Sequence, residues 1–119
     1  MAFTDKRIQK YELTKYTREL ERYLNRVVRY IKKEELDKKR FADYIDEIFK
    51  PFDGIKKVIL TKEYLKRLEE FVEYSANLPE SEYDMDMIKK DILHRANILQ
   101  RIKRIKDFKK EKHKGKKYE

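Results

Sequence analysis

Asp91 and His94 are the two residues whose spacing in this chain most resembles a metal half-site. They stand three positions apart in a helical stretch, and a carboxylate and an imidazole at that spacing share one face of a helix in di-metal bundles. Such a centre needs a second pair, but the sequence has only two His and no Cys. We therefore expect no transition-metal site, and we expect His94 to lie at the surface.

Two groups of acidic residues could hold a divalent cation through their carboxylate oxygens. They are Asp43, Asp46 and Glu47 on one stretch, and Glu69, Glu70 and Glu73 on a later one. Neither group is accompanied by the Gly-bearing loop of a calcium site. Two Gly in the whole chain are also too few for a Gly-rich phosphate loop, and no Ser-His-Asp arrangement is present. The sequence thus predicts neither catalysis nor a cofactor.

Basic residues form the sharpest surface pattern, and their chemistry is the binding of phosphate or carboxylate groups. Six of them fall within about 80° of one another on a helix, and we call this set the arginine row. The arginine row consists of Lys15, Arg18, Arg22, Arg26, Arg29 and Lys33. Like charges four residues apart destabilise an isolated helix by about 0.2 to 0.5 kcal/mol per pair. A row of them about 27 Å long is consistent with an anionic partner, although a solvated helix face explains it equally well.

A second basic region, residues 101–117, is called the basic arm. Ten Lys and Arg residues against two acids give it a net charge of +8, whereas the whole chain carries +9. The negative end of the helix dipole at the C-terminus favours basic residues in the last turns, but it explains only two or three of these charges. The predicted binding residues of the basic arm are Arg101, Lys103, Arg104, Lys106, Lys109 and Lys110.

The first helix is predicted from Asp5 to Lys33, with Thr4 as its N-cap. Apolar residues recur along it at alternating spacings of three and four, which is a heptad pattern. These residues are Leu13, Tyr16, Leu20, Tyr23, Val27 and Tyr30. Three tyrosines spaced by seven are expected to be core residues whose hydroxyls reach the edge of the bundle, and a ligand-stacking role is the less favoured alternative. A helix that continues to Lys50 is the alternative to a break, but we expect a break at residues 33–36, because an apolar face that carried Glu34 and Lys38 could not stay buried.

The remaining elements are three further helices joined by short connections. The second helix should end at Pro51, with a turn at Asp53 and Gly54 and a brief helical turn or bend over residues 55–60. Thr61 is the expected cap of the third helix, which closes at residues 77–79. Ser81 is the expected N-cap of a long fourth helix that runs to Lys112. Gly115 marks the expected end of order.

The fold predicted from these elements is an all-α antiparallel bundle of about four helices, two long ones embracing two short ones. A single domain over residues 1–112 and a disordered basic tail over residues 113–119 follow from the length of 119 residues and the charge of the C-terminus. No signal peptide or stretch of about 18 apolar residues is present, so we expect a cytoplasmic location.

The charge pattern favours a protein that binds duplex DNA or structured RNA through phosphates with weak sequence preference. A stacking platform for single strands is disfavoured, because Trp is absent and most Tyr and Phe belong to core faces. The alternative is a helical adaptor or assembly subunit that binds acidic protein. For that role we note an acidic segment, residues 68–88, with seven acids and no Lys or Arg, which could pair with the arginine row of its own or a neighbouring chain. An anionic membrane surface is a third option, with few apolar residues to support it.

Overall fold

The computed structural model describes the backbone of residues 2–33 and 35–117 and the side chains of residues 7–33 and 35–105. Everything described is helix, turn or irregular loop, so the predicted all-α class is confirmed. Four α-helices and two short 3₁₀ helices follow one another along the chain. They are α1 (Ala2–Ile31), α2 (Lys38–Phe49), a 3₁₀ helix (Lys50–Gly54), α3 (Glu63–Asn77), a 3₁₀ helix (Leu78–Glu80) and α4 (Met85–Lys117).

The predicted break between the first two helices is confirmed. Helix α1 ends at Ile31, two residues before the predicted Lys33, and α2 begins at Lys38. The carboxylate of Asp37 caps α2, because its Oδ1 accepts from the backbone N–H of Lys39 at 3.4 Å. Thr4 is not an N-cap, since α1 already begins at Ala2.

The chain between α2 and α3 differs from the prediction. Pro51 lies in the first turn of a 3₁₀ helix that follows α2 directly, where its missing N–H is tolerated. Residues 56–61 are irregular, so the helical turn expected over residues 55–60 lies earlier in the chain. Thr61 is not the cap of α3. The N-cap position belongs to Lys62, whose side chain makes no capping hydrogen bond.

The N-cap of helix α4 lies three residues later than predicted. Asp84 caps the helix, with Oδ1 accepting from the N–H of Met87 at 2.8 Å. Ser81 instead ends the second 3₁₀ helix, where its hydroxyl donates to the carbonyl of Leu78 at 2.6 Å. The helix continues through Gly115 to Lys117, five residues beyond the predicted end.

The core forms between α1, α3 and α4, each of which contacts the other two, while α2 packs on α1 and α3. Helices α1 and α2 are antiparallel, because Tyr30 lies 6.2 Å from Phe41 near one end and Tyr23 lies 6.2 Å from Phe49 near the other. Of the predicted heptad residues, Tyr16, Leu20, Tyr23 and Val27 are buried and Tyr30 is half-buried, whereas Leu13, near the start of the helix, is exposed and is not a core residue. Each large apolar side chain that is fully buried contributes about 1.5 to 3 kcal/mol. The opposite face of α1 is thereby left to solvent.

Candidate functional site

The arginine row lies on the solvent face of α1, because the heptad residues of the same helix are turned into the core. All six of its side chains are exposed, whereas Leu20, Tyr23 and Val27 are buried. Lys33 follows the end of the helix, in a turn where its N–H donates to the carbonyl of Tyr30 at 3.2 Å. The helical part of the row, from Lys15 to Arg29, is about 21 Å long at 1.5 Å per residue.

Most of the charge of the arginine row is not neutralised by neighbouring side chains. Arg22 forms an ion pair with Glu19, with 3.4 Å between Nη1 and Oε2. In the part of the chain whose side chains are described, Lys15, Arg18, Arg26 and Arg29 form no ion pair. The row therefore keeps several adjacent positive charges directed to solvent.

Two grooves run along the sides of the arginine row. The first has a volume of about 600 Å³ and lies between α1 and Ile55. The second has a volume of about 560 Å³ and lies between α1 and Leu65 of α3. Arg18 and Arg22 line both grooves. Both grooves are open to solvent.

Glu19 and Glu21 are the acids that line these grooves. Glu19 is 6 % exposed and lies at the first groove, beside Arg22. Glu21 lies at the second groove, where it accepts a hydrogen bond from the hydroxyl of Tyr64 at 3.1 Å. Burial and the carboxylate of Glu21 raise the pKa of Tyr64, which keeps this phenol protonated. Both acids are therefore held by side chains of the protein.

The first residues of the basic arm lie beside the arginine row. The Lys103 ammonium is 3.7 Å from Oε1 of Glu21 and 5.7 Å from the centre of the Tyr64 ring. Of these three residues, Glu21 lines the second groove. Arg101 and Arg104 are exposed on the same helix. For the predicted binding residues Lys106, Lys109 and Lys110, the structure describes the backbone alone, as part of α4. The beginning of the arm and the middle of the row thus meet at one groove.

Two aromatic residues near the C-terminal end of the arginine row, Tyr30 and Tyr44, were not predicted to be functional. The rings of Tyr30 and Tyr44 are stacked, with centroids 4.2 Å apart and planes at 11°. The hydroxyl of Tyr44 donates to the backbone carbonyl of Arg26 at 3.3 Å. Burial raises the pKa of Tyr44, and the charges of Arg26 and Arg29 oppose that shift. The pairing depends on how α2 lies on α1, so residue spacing within either helix does not reveal it.

The Asp91 carboxylate is engaged by neighbouring side chains. It accepts from the hydroxyl of Tyr74 at 2.6 Å and from Nε of Arg95 at 3.1 Å, and Arg95 lies 3.7 Å above the Tyr74 ring. The hydrogen bond that Tyr74 donates to Asp91 raises the pKa of Tyr74. His94 is exposed on α4. Among the described side chains, no three His, Asp or Glu residues converge as a metal site would require.

The acidic segment does not neutralise the arginine row within the described chain. The carboxylate of Glu69 accepts from the hydroxyl of Tyr16 at 2.5 Å, and Glu73 forms an ion pair with Lys57 at 3.2 Å. Five further acids of the segment are exposed and form no ion pair in the described structure. They are Glu70, Glu80, Glu82, Asp84 and Asp86.

No protein-family model, curated protein or solved structure matches this chain. Over the described residues, none of the helices has both the length and the apolar character needed to cross a membrane.

Proposed function

We propose that this chain is a non-catalytic, cytoplasmic protein that binds duplex DNA or structured RNA through its phosphates. The observation that supports this most is the set of four exposed cations on α1 that have no ion pair among the described residues, namely Lys15, Arg18, Arg26 and Arg29. Arg presents a planar fork of donors that matches the oxygens of a phosphate. A straight helix holds these forks at steps of about 4.5 to 6 Å, so several phosphates can be contacted together.

The basic arm adds to the same surface. Lys103 forms an ion pair with Glu21, which lines the second groove, so the residues that follow Lys103 on α4 start close to the arginine row. A helical nucleic acid on α1 would then meet cations from two helices. Phosphate contacts fix position and carry no base information, so sequence preference should be weak.

The test is fluorescence anisotropy with labelled duplex DNA and hairpin RNA across a salt series. Neutralising five phosphates gives a slope of about −4 to −5 for log affinity against log salt on B-DNA. Replacing Arg22 and Arg26 by Gln keeps good helix formers on α1 and removes two of the charges. This double variant should bind more weakly and should have a slope shallower by about 1 to 2.

A matched control removes the same charge elsewhere. Lys50 and Lys90 are exposed, lie off α1, and form no ion pair among the described residues. Replacing both by Gln should change the affinity by much less than the α1 variant does. Equal losses in the two variants would indicate a general charge effect and no site on α1. No binding by the wild-type protein at about 50 mM salt, where electrostatic association is strong, would overturn the proposal.

The second candidate function is an assembly subunit or adaptor that binds acidic protein. It is favoured by the exposed part of the acidic segment, where Tyr83 and Met87 are 38 % and 50 % exposed among four unpaired acids. A second copy could place this acidic, partly apolar surface against the first groove, where Tyr11 and Ile55 accompany the basic residues. Exposed ion pairs contribute only about 0 to 1 kcal/mol each, so such contacts would mainly set the orientation of the partners.

Sedimentation velocity at low and high salt distinguishes the two functions. An assembly that dissociates at high salt, in a protein with no affinity for DNA or RNA, would support the second function. Replacing Glu82 and Asp86 by Gln and Asn should then weaken the assembly. A monomer at all salt concentrations that binds nucleic acid would exclude self-assembly and support the first function.

A further inference from the structure

The stacked rings of Tyr30 and Tyr44 form a fixed aromatic surface at the α2 side of the arginine row. Tyr30 also lies 6.2 Å from Phe41, which is fully buried, so the pair is anchored to the core. The hydroxyl of Tyr44 is held by the carbonyl of Arg26, on the helix that carries the row. A ring fixed at both its face and its hydroxyl loses little conformational freedom when a ligand stacks on it.

Part of the Tyr44 side chain remains available for contact. Tyr44 is half-buried, and Tyr30 is the only described ring that packs against it. Tyr44 also packs against the hydrophobic core. Lys33 lies over the ring of Tyr30 at 5.2 Å, and none of the described cation–π contacts involves Tyr44. One face of the Tyr44 ring is occupied by Tyr30, and the described structure places no ring or cation on the other.

The group that accepts the hydroxyl of Tyr44 differs from the acceptors of three other tyrosines of this chain. Tyr16, Tyr64 and Tyr74 each donate a hydrogen bond to a carboxylate, which would repel a phosphate. Tyr44 donates to a main-chain carbonyl instead, and Arg26 and Arg29 act on its phenol more strongly than the nearby Glu47 does. An aromatic ring with arginines beside it is the combination that single-strand-binding proteins use for a base and its phosphate.

We propose that Tyr44 stacks on one unpaired nucleobase while Arg26 and Arg29 contact the phosphates that flank it. This inference rests on the proposed function and narrows its ligand to a helical nucleic acid with unpaired nucleotides next to the helix, such as a hairpin loop or an overhang. The paired region would lie along the arginine row, and the first unpaired base would lie on Tyr44. Stacking is tolerant of base identity, so the preference is for an unpaired nucleotide and not for a sequence.

The experiment compares two RNA probes with the same stem, one a blunt duplex and the other a hairpin with an unpaired loop. Replacing Tyr44 by Leu removes the ring and keeps an apolar contact with Tyr30. This variant should bind the hairpin about 5- to 150-fold more weakly, as for the loss of one stacked base, and should bind the blunt duplex as the wild type does. Replacing Tyr44 by Phe keeps the ring and should retain most of the preference for the hairpin.

The salt dependence separates stacking from charge. Since stacking releases no counterions, the Tyr44→Leu variant should keep the wild-type slope of log affinity against log salt, whereas the Arg22 and Arg26 variant should have a shallower one. Tyr83→Leu is the matched control, because Tyr83 is exposed in the acidic segment and belongs to neither the arginine row nor the Tyr30 and Tyr44 pair. It should bind both probes normally. Circular dichroism of each variant checks that the helices are retained.

The outcomes distinguish failure of this inference from failure of the proposed function. If the wild-type protein binds neither RNA nor DNA, both are overturned. If it binds and the Arg22 and Arg26 variant weakens, but Tyr44→Leu binds the hairpin like the wild type, only the stacking site is overturned. An equal loss of affinity for both probes in Tyr44→Leu would also overturn it, because a stacking site for unpaired bases must discriminate between them.

Discussion

The hydrogen bond between Tyr23 and Ser75 places two polar groups in the centre of the core. Both residues are 0 % exposed, and their side-chain oxygens are 2.8 Å apart. The serine hydroxyl also donates to the carbonyl of Val72 at 3.1 Å, which leaves its oxygen to accept from Tyr23. Burial raises the pKa of Tyr23 to about 12, so the phenol stays protonated and can donate. The pair joins α1 to α3 without leaving either hydroxyl unsatisfied.

Replacing Ser75 by Ala should destabilise the protein by about 1 to 3 kcal/mol, because the hydroxyl of Tyr23 would then be buried without a partner. Urea unfolding followed by circular dichroism measures this change. The combined replacement of Tyr23 by Phe and Ser75 by Ala removes both hydroxyls and should cost less than the sum of the two single changes. Additive costs would show that the two side chains do not depend on each other.

The buried tyrosines also predict a loss of stability at alkaline pH. The pKa values of Tyr16, Tyr23 and Tyr64 are raised in the folded protein by burial, and for Tyr16 and Tyr64 also by the carboxylates that accept their hydrogen bonds. In the unfolded chain these phenols lose their protons near pH 10, so the folded state binds more protons above that pH. The contribution of these tyrosines to the free energy of unfolding should be fully present below pH 10, and the measured free energy of unfolding should fall as the pH rises from 10 toward 12. A value that stays constant over this interval would contradict the burial of the three phenols.

At the scale of the elements, the period of the apolar residues was sufficient to predict which face of α1 is buried. The same period places Lys15 to Arg29 on the opposite face, and the structure confirms that this face is exposed. Contacts that depend on how two helices meet could not be predicted in this way. The hydroxyl of Tyr23 was expected at the edge of the bundle and lies in its centre, because Ser75 of α3 packs against it. The stacking of Tyr30 on Tyr44 was missed for the same reason.

The ends of the helices were predicted less accurately than their buried faces, because each connection contains several residues that can act as helix caps. Ser81 and Asp84 both have side-chain oxygens that can accept from the first N–H groups of a helix. The 3₁₀ turn at Leu78–Glu80 engages Ser81, which leaves Asp84 to begin α4. A local pattern does not show which of two adjacent caps the tertiary structure selects.

Replacing Asp84 by Ala should destabilise the protein by about 1 kcal/mol, because the N–H of Met87 loses its acceptor and the helix loses a negative charge at its N-terminus. Replacing Asp84 by Asn preserves an acceptor and should cost clearly less. Thermal unfolding of both variants beside Ser81→Ala measures the difference. If Ser81→Ala were the more damaging of the two alanine variants, the assignment of Asp84 as the cap would be wrong.

At the scale of the whole molecule, charge is separated into regions. The arginine row occupies the solvent face of α1, the basic arm extends α4, and the acidic segment covers the end of α3 and the start of α4. None of the described ion pairs joins the arginine row to the acidic segment, so the two regions do not neutralise each other's charge in the described structure. Such a field attracts a polyanion to one side of the protein and repels it from another, which orients the encounter before contact.

Truncation after Ile105 separates the contribution of the basic arm from the stability of the bundle. It removes seven basic and three acidic residues and retains Ile102, which packs against the core, and the Lys103 to Glu21 ion pair. The free energy of unfolding should therefore change little. If the arm contacts phosphates, affinity for duplex DNA should fall and the salt slope should become shallower by about 2 or more, equivalent to roughly two phosphate contacts. A wild-type slope in the truncated protein would confine binding to the arginine row and the residues around it.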